Sequence, residues 1–338
     1  MDAPPVQYVK TSDGFHIAYA VCGEGTPFVF MPMRRNHVRQ AWEESPTAEW
    51  LEGLASRFRL VQYDSRGQGL STRDVPDDFS PRDYLTDLET LVDHLELDSF
   101  ILMAHALFGH VAVPFTVANP GRVRALVLCA VRPSMPTIRW LEMARQNWHL
   151  FLFQQVGGAG LTAEQRRDAI WRLEQTTNQR DYVISTNAFL NSNIEPDLSQ
   201  IDVPTLVLHP RDFPVFGQEE SVKVAYSVRG ARMVPIEGVT APGDPAEGLQ
   251  ALDDFMLALD KELPASKSAA EAATPDRLSH RELEVLRLLA AGRSNQQIAD
   301  ELVISLNTAR KHVANILDKT GTANRTEAAG YARDHGLM

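Results

Sequence analysis

Short apolar runs and amphipathic stretches alternate through the first 262 residues. Phe28–Met31, Leu60–Tyr63, Phe100–Met103, Ala125–Cys129 and Thr205–His209 are apolar almost throughout, the pattern of strands buried on both faces. Val6–Thr11 and Phe15–Val21 flank Ser12-Asp13-Gly14 and predict a hairpin. Tyr84–Leu95 and Val111–Ala118 carry apolar residues at helical spacing. Strands alternating with helices predict an α/β domain, 1–262, with a largely parallel sheet. The rhythm breaks over about 134–200, where Trp, Leu, Arg and Gln recur at helical spacing without a strand. That stretch predicts a helical cap over one end of the sheet. Residues 263–275, small-residue rich and bracketed by Pro264 and Pro275, predict a linker.

A different pattern fills 276–338. Ser279 and Glu282 have capping-box spacing, and Leu283, Leu286, Leu289 and Ala290 follow on one helical face. Gly292 ends this helix and Ser294 caps a short second one, Asn295–Leu302. Ser305 caps a third helix reaching about Thr320, with Ala309, Val313, Ile316 and Leu317 facing inward and Asn307, Arg310, Lys311, Asn315 and Lys319 facing outward. A fourth runs from about Thr326 to His335. Two short helices joined by a tight turn, the second basic outside, suit a DNA major groove. A helical oligomerisation bundle with a solvated charged face fits the spacing as well.

Net charge is −11, which speaks against a nucleic-acid binder until the chain is divided. Residues 276–338 hold nine Lys/Arg and eight Asp/Glu, a net +1, and the remainder carries −12. The acid belongs to the larger part, and binding follows the local field. Two cysteines, Cys22 and Cys129, in 338 residues argue for a reducing compartment and against a disulfide framework or zinc site. Met1 to Pro5 lack the pattern of a signal peptide, and no run reaches the roughly 18 apolar residues of a spanning helix. A cytoplasmic protein without membrane contact, metal or cofactor is expected.

The stretch from Leu278-Ser-His-Arg-Glu to Ala299, then Ile304-Ser-Leu-Asn-Thr-Ala-Arg-Lys-His-Val-Ala-Asn-Ile-Leu-Asp-Lys319 and Asn324-Arg-Thr-Glu-Ala328, closely resembles the LuxR-type DNA-binding domain. Ala309 and Thr320 stand where that family usually has Val and Leu. The resemblance implies that the third helix reads double-stranded operator DNA, with Thr308, Lys311, His312 and Lys319 at contacting positions. Lys311 and Lys319 would anchor phosphates, and Asn307, Ala309 or Arg310 would read bases, with Asn315 on the same face.

Asp64-Ser-Arg-Gly-Gln-Gly-Leu-Ser71 after a predicted strand is similar to the Asp-x-Arg-Gly-x-Gly-x-Ser turn of α/β-hydrolases. The segments from Tyr8 to Ala20 and from Val203 to His209 resemble the same fold. The catalytic positions do not match. The nucleophile turn, G-x-S-x-G in that family, reads Ala104-His105-Ala106-Leu107-Phe108. The acid position falls on Phe213, with Asp212 one residue away, and the histidine position falls on Ala241. His105 and His110 have no adjacent Ser or Cys, and Cys129 reads as an inert core thiol. No catalytic residue is assigned and no enzyme is expected. Met33, Arg34, His105, Ala106, Leu107, Trp140, Phe213 and Ala241 are the candidate lining of an apolar small-molecule pocket under the cap, with Trp148, Phe151 and Phe153 as further cap aromatics. Arg34 faces either an anionic or carbonyl group, or solvent.

Together these features predict a ligand-responsive regulator, dimeric on paired half-sites. An active hydrolase with a DNA-binding tail, or a hydrolase-like dimerisation scaffold, are the rival readings. Contact between the acidic body and RNA polymerase stays open.

Overall fold

The computed structural model describes residues 2–34, 37–43, 47–119, 121–135, 139–156, 162–262, 278, 280–302 and 306–337, without the side chains of Arg139, Asp260, Glu262, His280, Arg281, Asn307, Thr308, Lys311 and Asp318. The expected linker lies outside these residues. Contacts divide the chain between Met256 and Leu257 into two units, each taken by itself below. Among the described residues no helix is long and apolar enough to cross a membrane.

The first unit is built on eight strands: β1 Gln7–Lys10, β2 His16–Cys22, β3 Pro27–Phe30, β4 Arg59–Tyr63, β5 Phe100–His105, β6 Val123–Cys129, β7 Thr205–Pro210 and β8 Arg232–Ile236. Their order in the sheet is β1-β2-β4-β3-β5-β6-β7-β8. β1–β2 and β2–β4 pair antiparallel and the remaining pairs are parallel. β5 and β7 are buried at every residue, which is why they read as continuous apolar runs. β8 is not evident in the sequence pattern: it lies at the sheet edge, is only partly buried and contains Pro235, as edge strands allow.

Helices α1 Thr47–Ala55, α2 Pro81–His94 and α3 Gly109–Ala118 connect the early strands. β3 and β5 lie side by side although α1, β4 and α2 intervene. Parallel sheets open a crevice beyond the strand ends at such a switch in order.

Asp64–Ser71 ties this region together. The Asp64 carboxylate accepts the N–H groups of Val38 (3.0 Å) and Leu70 (2.9 Å), and burial pushes its carboxyl up to about 7. Ser71 Oγ donates to the Asp64 carbonyl (2.5 Å) and accepts from the Ala18 amide (2.8 Å). Gly69 has φ +58, and a Cβ there would run into the Asp64 carboxylate. Arg66, fully buried, pairs with Asp87 at 2.7 Å and Asp13 at 2.5 Å. The motif is therefore a structural knot.

Between β6 and β7 lie α4 Arg139–Gln146, α5 Trp148–Gln155, α6 Ala163–Thr176, α7 Gln179–Asn187 and α8 Glu195–Leu198. This is the helical cap, closed at its neck by a Ser134–Asn193 bridge. It has its own small core of Ala144, Phe151, Leu152 and Ile170, with Trp140, Trp148 and Tyr182 packed against it. Asp181 fastens α7 to the sheet domain by accepting the N–H groups of Asp74 (2.9 Å) and Val75 (3.0 Å). After the cap come α9 Gln218–Ser227 and α10 Pro245–Glu262.

The second unit holds α11 His280–Ala290, α12 Asn295–Glu301, α13 Leu306–Thr320 and α14 Arg325–Asp334. Val285, Leu286, Leu289, Ile298, Ala309, Ile316, Ala328 and Ala332 form its core. Gly292 has φ +81 and stops α11. The expected cap at Ser294 is one half of a capping box: Gln297 N–H donates to Ser294 Oγ (3.2 Å) and Ser294 N–H donates to Gln297 Oε1 (2.9 Å).

Candidate functional site

β5 leaves the sheet at His105 and the chain turns through Ala106–Phe108 into α3. Ala106 sits at the tip with φ +49, a conformation that costs a non-glycine residue free energy. This is the strand–turn–helix geometry that lifts a nucleophile above a hydrolase sheet. Here the strained tip presents a methyl group. Leu107 turns into the core rather than upward.

His105 is nine-tenths buried, its ring tilted against Phe30 at 5.2 Å between centroids. Neither ring nitrogen makes a hydrogen bond; the Pro32 carbonyl faces the ring without meeting hydrogen-bond geometry. Burial pushes the ring down to about 4. His110 is structural: Nδ1 meets Ser192 Oγ at 2.9 Å, Nε2 meets the Arg132 carbonyl at 3.1 Å, and burial pushes it down to about 4 as well. Cys129 ends β6 beside His105 and is fully buried, its thiol pushed far up by desolvation.

The other expected pocket residues divide. Met33 and Arg34 follow β3, adjacent to β5. Arg34 is only partly exposed. It reaches into the cap, donating from Nη1 to Thr186 Oγ1 and from Nη2 to Ser185 Oγ, each at 2.5 Å, with its guanidinium 4.8 Å from the Tyr182 ring centre. Tyr84 joins this group, its ring tilted against Phe108 of the turn at 5.3 Å between centroids. Trp140 packs into the cap core beside Tyr182. Trp148 and Phe151 stack there too, at 5.1 Å, while Phe153 lies outside, 47% exposed under Arg166.

Phe213 contacts His209 and Phe216 edge-on, at 6.1 and 5.1 Å. Asp212 is exposed. Ala241 precedes Pro242, whose carbonyl meets Cys129 Sγ at 3.5 Å, so this loop lies beside the strand next to the turn. Two cavities of about 570 and 580 Å³ lie elsewhere, one between β8 and α10 and one along the N-terminal segment. No residue of the Ala106–Phe108 turn lines either of them. Sequence reasoning missed Tyr84, Tyr182, Ser185 and Thr186, which carry no motif and become neighbours of Arg34 only through the fold.

In the second unit α12 and α13 pack together. Arg310 and Asn315 are exposed on α13 and His312 is partly exposed. One expectation needs correction. Ala309 is completely buried in the helical core, so it sets the packing of α13 and cannot touch a base edge. Lys319 Nζ lies 2.8 Å from Glu282 Oε2, a carboxylate almost wholly buried. Its ammonium thus ties α13 to α11, and Glu282 serves that pair in addition to any capping role. The side chains of Asn307, Thr308 and Lys311, and Ser279, lie outside the described residues.

The model of the bacterial regulatory proteins of the luxR family matches residues 276–332, and that of the alpha/beta hydrolase fold matches 37–169. The transcriptional regulatory protein LiaR of Bacillus subtilis is 43% identical over 79 residues, 23% of this chain and 37% of LiaR. The chain thus spans little more than a third of that regulator. A Rhizobium rhizogenes protein named as a carbamate hydrolase, RutD, is 27% identical over 203 residues, 55% of this chain and 76% of RutD. A hydrolase structure from Pseudomonas aeruginosa PA01 superposes with a TM-score of 0.63 at 21% identity, over 75% of this chain and 99% of that one, a likeness of fold. The chain joins an N-terminal domain of the α/β-hydrolase fold to a C-terminal DNA-binding domain of the luxR family of bacterial regulatory proteins.

Proposed function

We propose that this regulator uses its hydrolase-fold domain as a non-catalytic sensor. A small, largely apolar molecule binds between sheet and cap and alters operator binding by a homodimer. The observation that carries this reading is Ala106: the strained turn is kept and the nucleophile is gone. Covalent hydrolysis needs nucleophile and base together, and Phe213 and Ala241 stand at the acid and histidine positions. Coupling between two such sites is typically about 1–3 kcal/mol, five- to 150-fold in affinity.

The test pairs two assays on the purified full chain. Aryl-ester hydrolysis is expected to stay at the level of the heat-denatured control. A metabolite screen by thermal shift is expected to find a stabilising ligand that also changes operator affinity in fluorescence anisotropy, with both effects lost in Ala106→Trp. Hydrolysis abolished by His105→Ala or Asp212→Ala would instead establish an enzyme. Operator binding with no ligand in a broad screen would favour the scaffold reading.

A further inference from the structure

Arg34 carries a full charge into the seam between sheet and cap, and its described partners are all neutral: two hydroxyls, the Tyr182 ring and Tyr84. We propose that Arg34 is the recognition residue for the domain's ligand, and that this ligand is a small monocarboxylate with an apolar body. The inference rests on the sensing reading above and names the chemistry of that site.

Three features support it. The two terminal nitrogens of a planar guanidinium form a fork matched to the two oxygens of a carboxylate, and such charge-assisted pairs are about twice as strong as neutral ones. In this structure that fork is occupied by Thr186 Oγ1 and Ser185 Oγ. These hydroxyls hold the positions a carboxylate would take. Second, Ser185 Oγ also donates to the Asp181 carbonyl at 2.6 Å. It keeps that bond when Arg34 leaves, so the exchange strands no buried hydroxyl at this residue. Third, the surroundings are apolar. Tyr84 packs against Phe108 and Phe189, and Tyr182 packs against Trp148 and Phe151.

The exchange also supplies a signal. One end of α7 is held by Asp181 on the Asp74 and Val75 amides and by Arg180 on Asp77 (2.6 Å). The other end, at Ser185 and Thr186, is held to the sheet domain through Arg34. A carboxylate on Arg34 frees the second end and leaves the first in place.

Calorimetric titration of the full chain with hexanoate, benzoate and phenylacetate, each beside its primary amide, tests this. At least one acid is expected to bind and its amide to fail. Arg34→Gln should weaken the acid by about ten- to a hundredfold, the range of a charged hydrogen-bond pair. Arg34→Lys should fall between, keeping the charge and losing the fork. Ser185→Ala should tighten binding a few-fold, because it removes the internal competitor; if Arg34→Gln does not fold, this variant decides. Equal binding of acid and amide, weaker binding in Ser185→Ala, or acid affinity unchanged in Arg34→Gln would overturn the proposal. Neutral ligands that bind and are lost in Ala106→Trp, with no acid binding, would overturn the carboxylate and leave the sensor intact. No ligand of either kind would overturn both.

Discussion

At the scale of single residues, the N-terminal domain keeps the strand–turn–helix geometry of a hydrolase with alanine at its tip. Ala106→Ser would restore a hydroxyl at a position already shaped for it, with φ +49. On the non-catalytic reading proposed above, which puts Ala241 at the base position, it is expected to gain no measurable esterase activity. Release of p-nitrophenol by Ala106→Ser above the parent protein would mean that His105 or another base reaches the tip. The buried histidines give a second test. At pH 6 an ordinary histidine is roughly three-quarters protonated. His105 and His110, pushed by burial to about 4, should remain neutral there, which ¹⁵N chemical shifts read directly. Their folded values lie below the unfolded one. Their contribution to stability is therefore complete above about pH 6.5 and is lost as pH falls toward 4. Asp64, raised to about 7, acts in the opposite sense over the same window, so ring shifts rather than unfolding curves are the measurement that separates them.

At the scale of elements, the sequence is most legible where a segment satisfies itself locally. β5, β7 and the cap at Ser294 follow from runs and spacings inside one element. β8 escapes because an edge strand lacks the two-sided burial that produces an apolar run. The pocket residues escape for a different reason: Arg34 meets Ser185 across 151 residues, a contact that depends on where the cap docks. Ala309 shows the converse. Its place in a recognition motif suggests DNA, while its periodicity with Val313 and Ile316 gives the core position it occupies. The Lys319–Glu282 pair yields a prediction at this scale. Lys319 is 32% exposed and the Glu282 carboxylate 3%, so removing Lys319 takes an ion-pair partner from a buried carboxylate. Lys319→Met is therefore expected to lower the melting temperature of the 276–338 unit, and Lys319→Met with Glu282→Gln to recover much of the loss. Equal destabilisation by the single and the double change would show that the pair does not hold α13 against α11.

At the scale of the whole molecule, charge is divided as function is divided. The domain that meets DNA carries +1 and the remainder −12. Non-specific attraction to duplex depends on field and fades with salt, the Debye length shrinking from about 30 Å at 0.01 M to about 3 Å at 1 M. The acidic domain should oppose that attraction without reading sequence. Residues 276–338 alone, which contain their own core, are therefore expected to bind a random duplex more tightly than the full chain at low salt. The difference should close as salt rises, and anisotropy titrations on one labelled duplex at several salt concentrations measure it. Removing a sequence-independent repulsion raises the affinity for all DNA alike, so the isolated unit should bind the operator more tightly yet discriminate no better. If the full chain matches the fragment on random DNA at the lowest salt, the acidic charge acts too far from the duplex to matter.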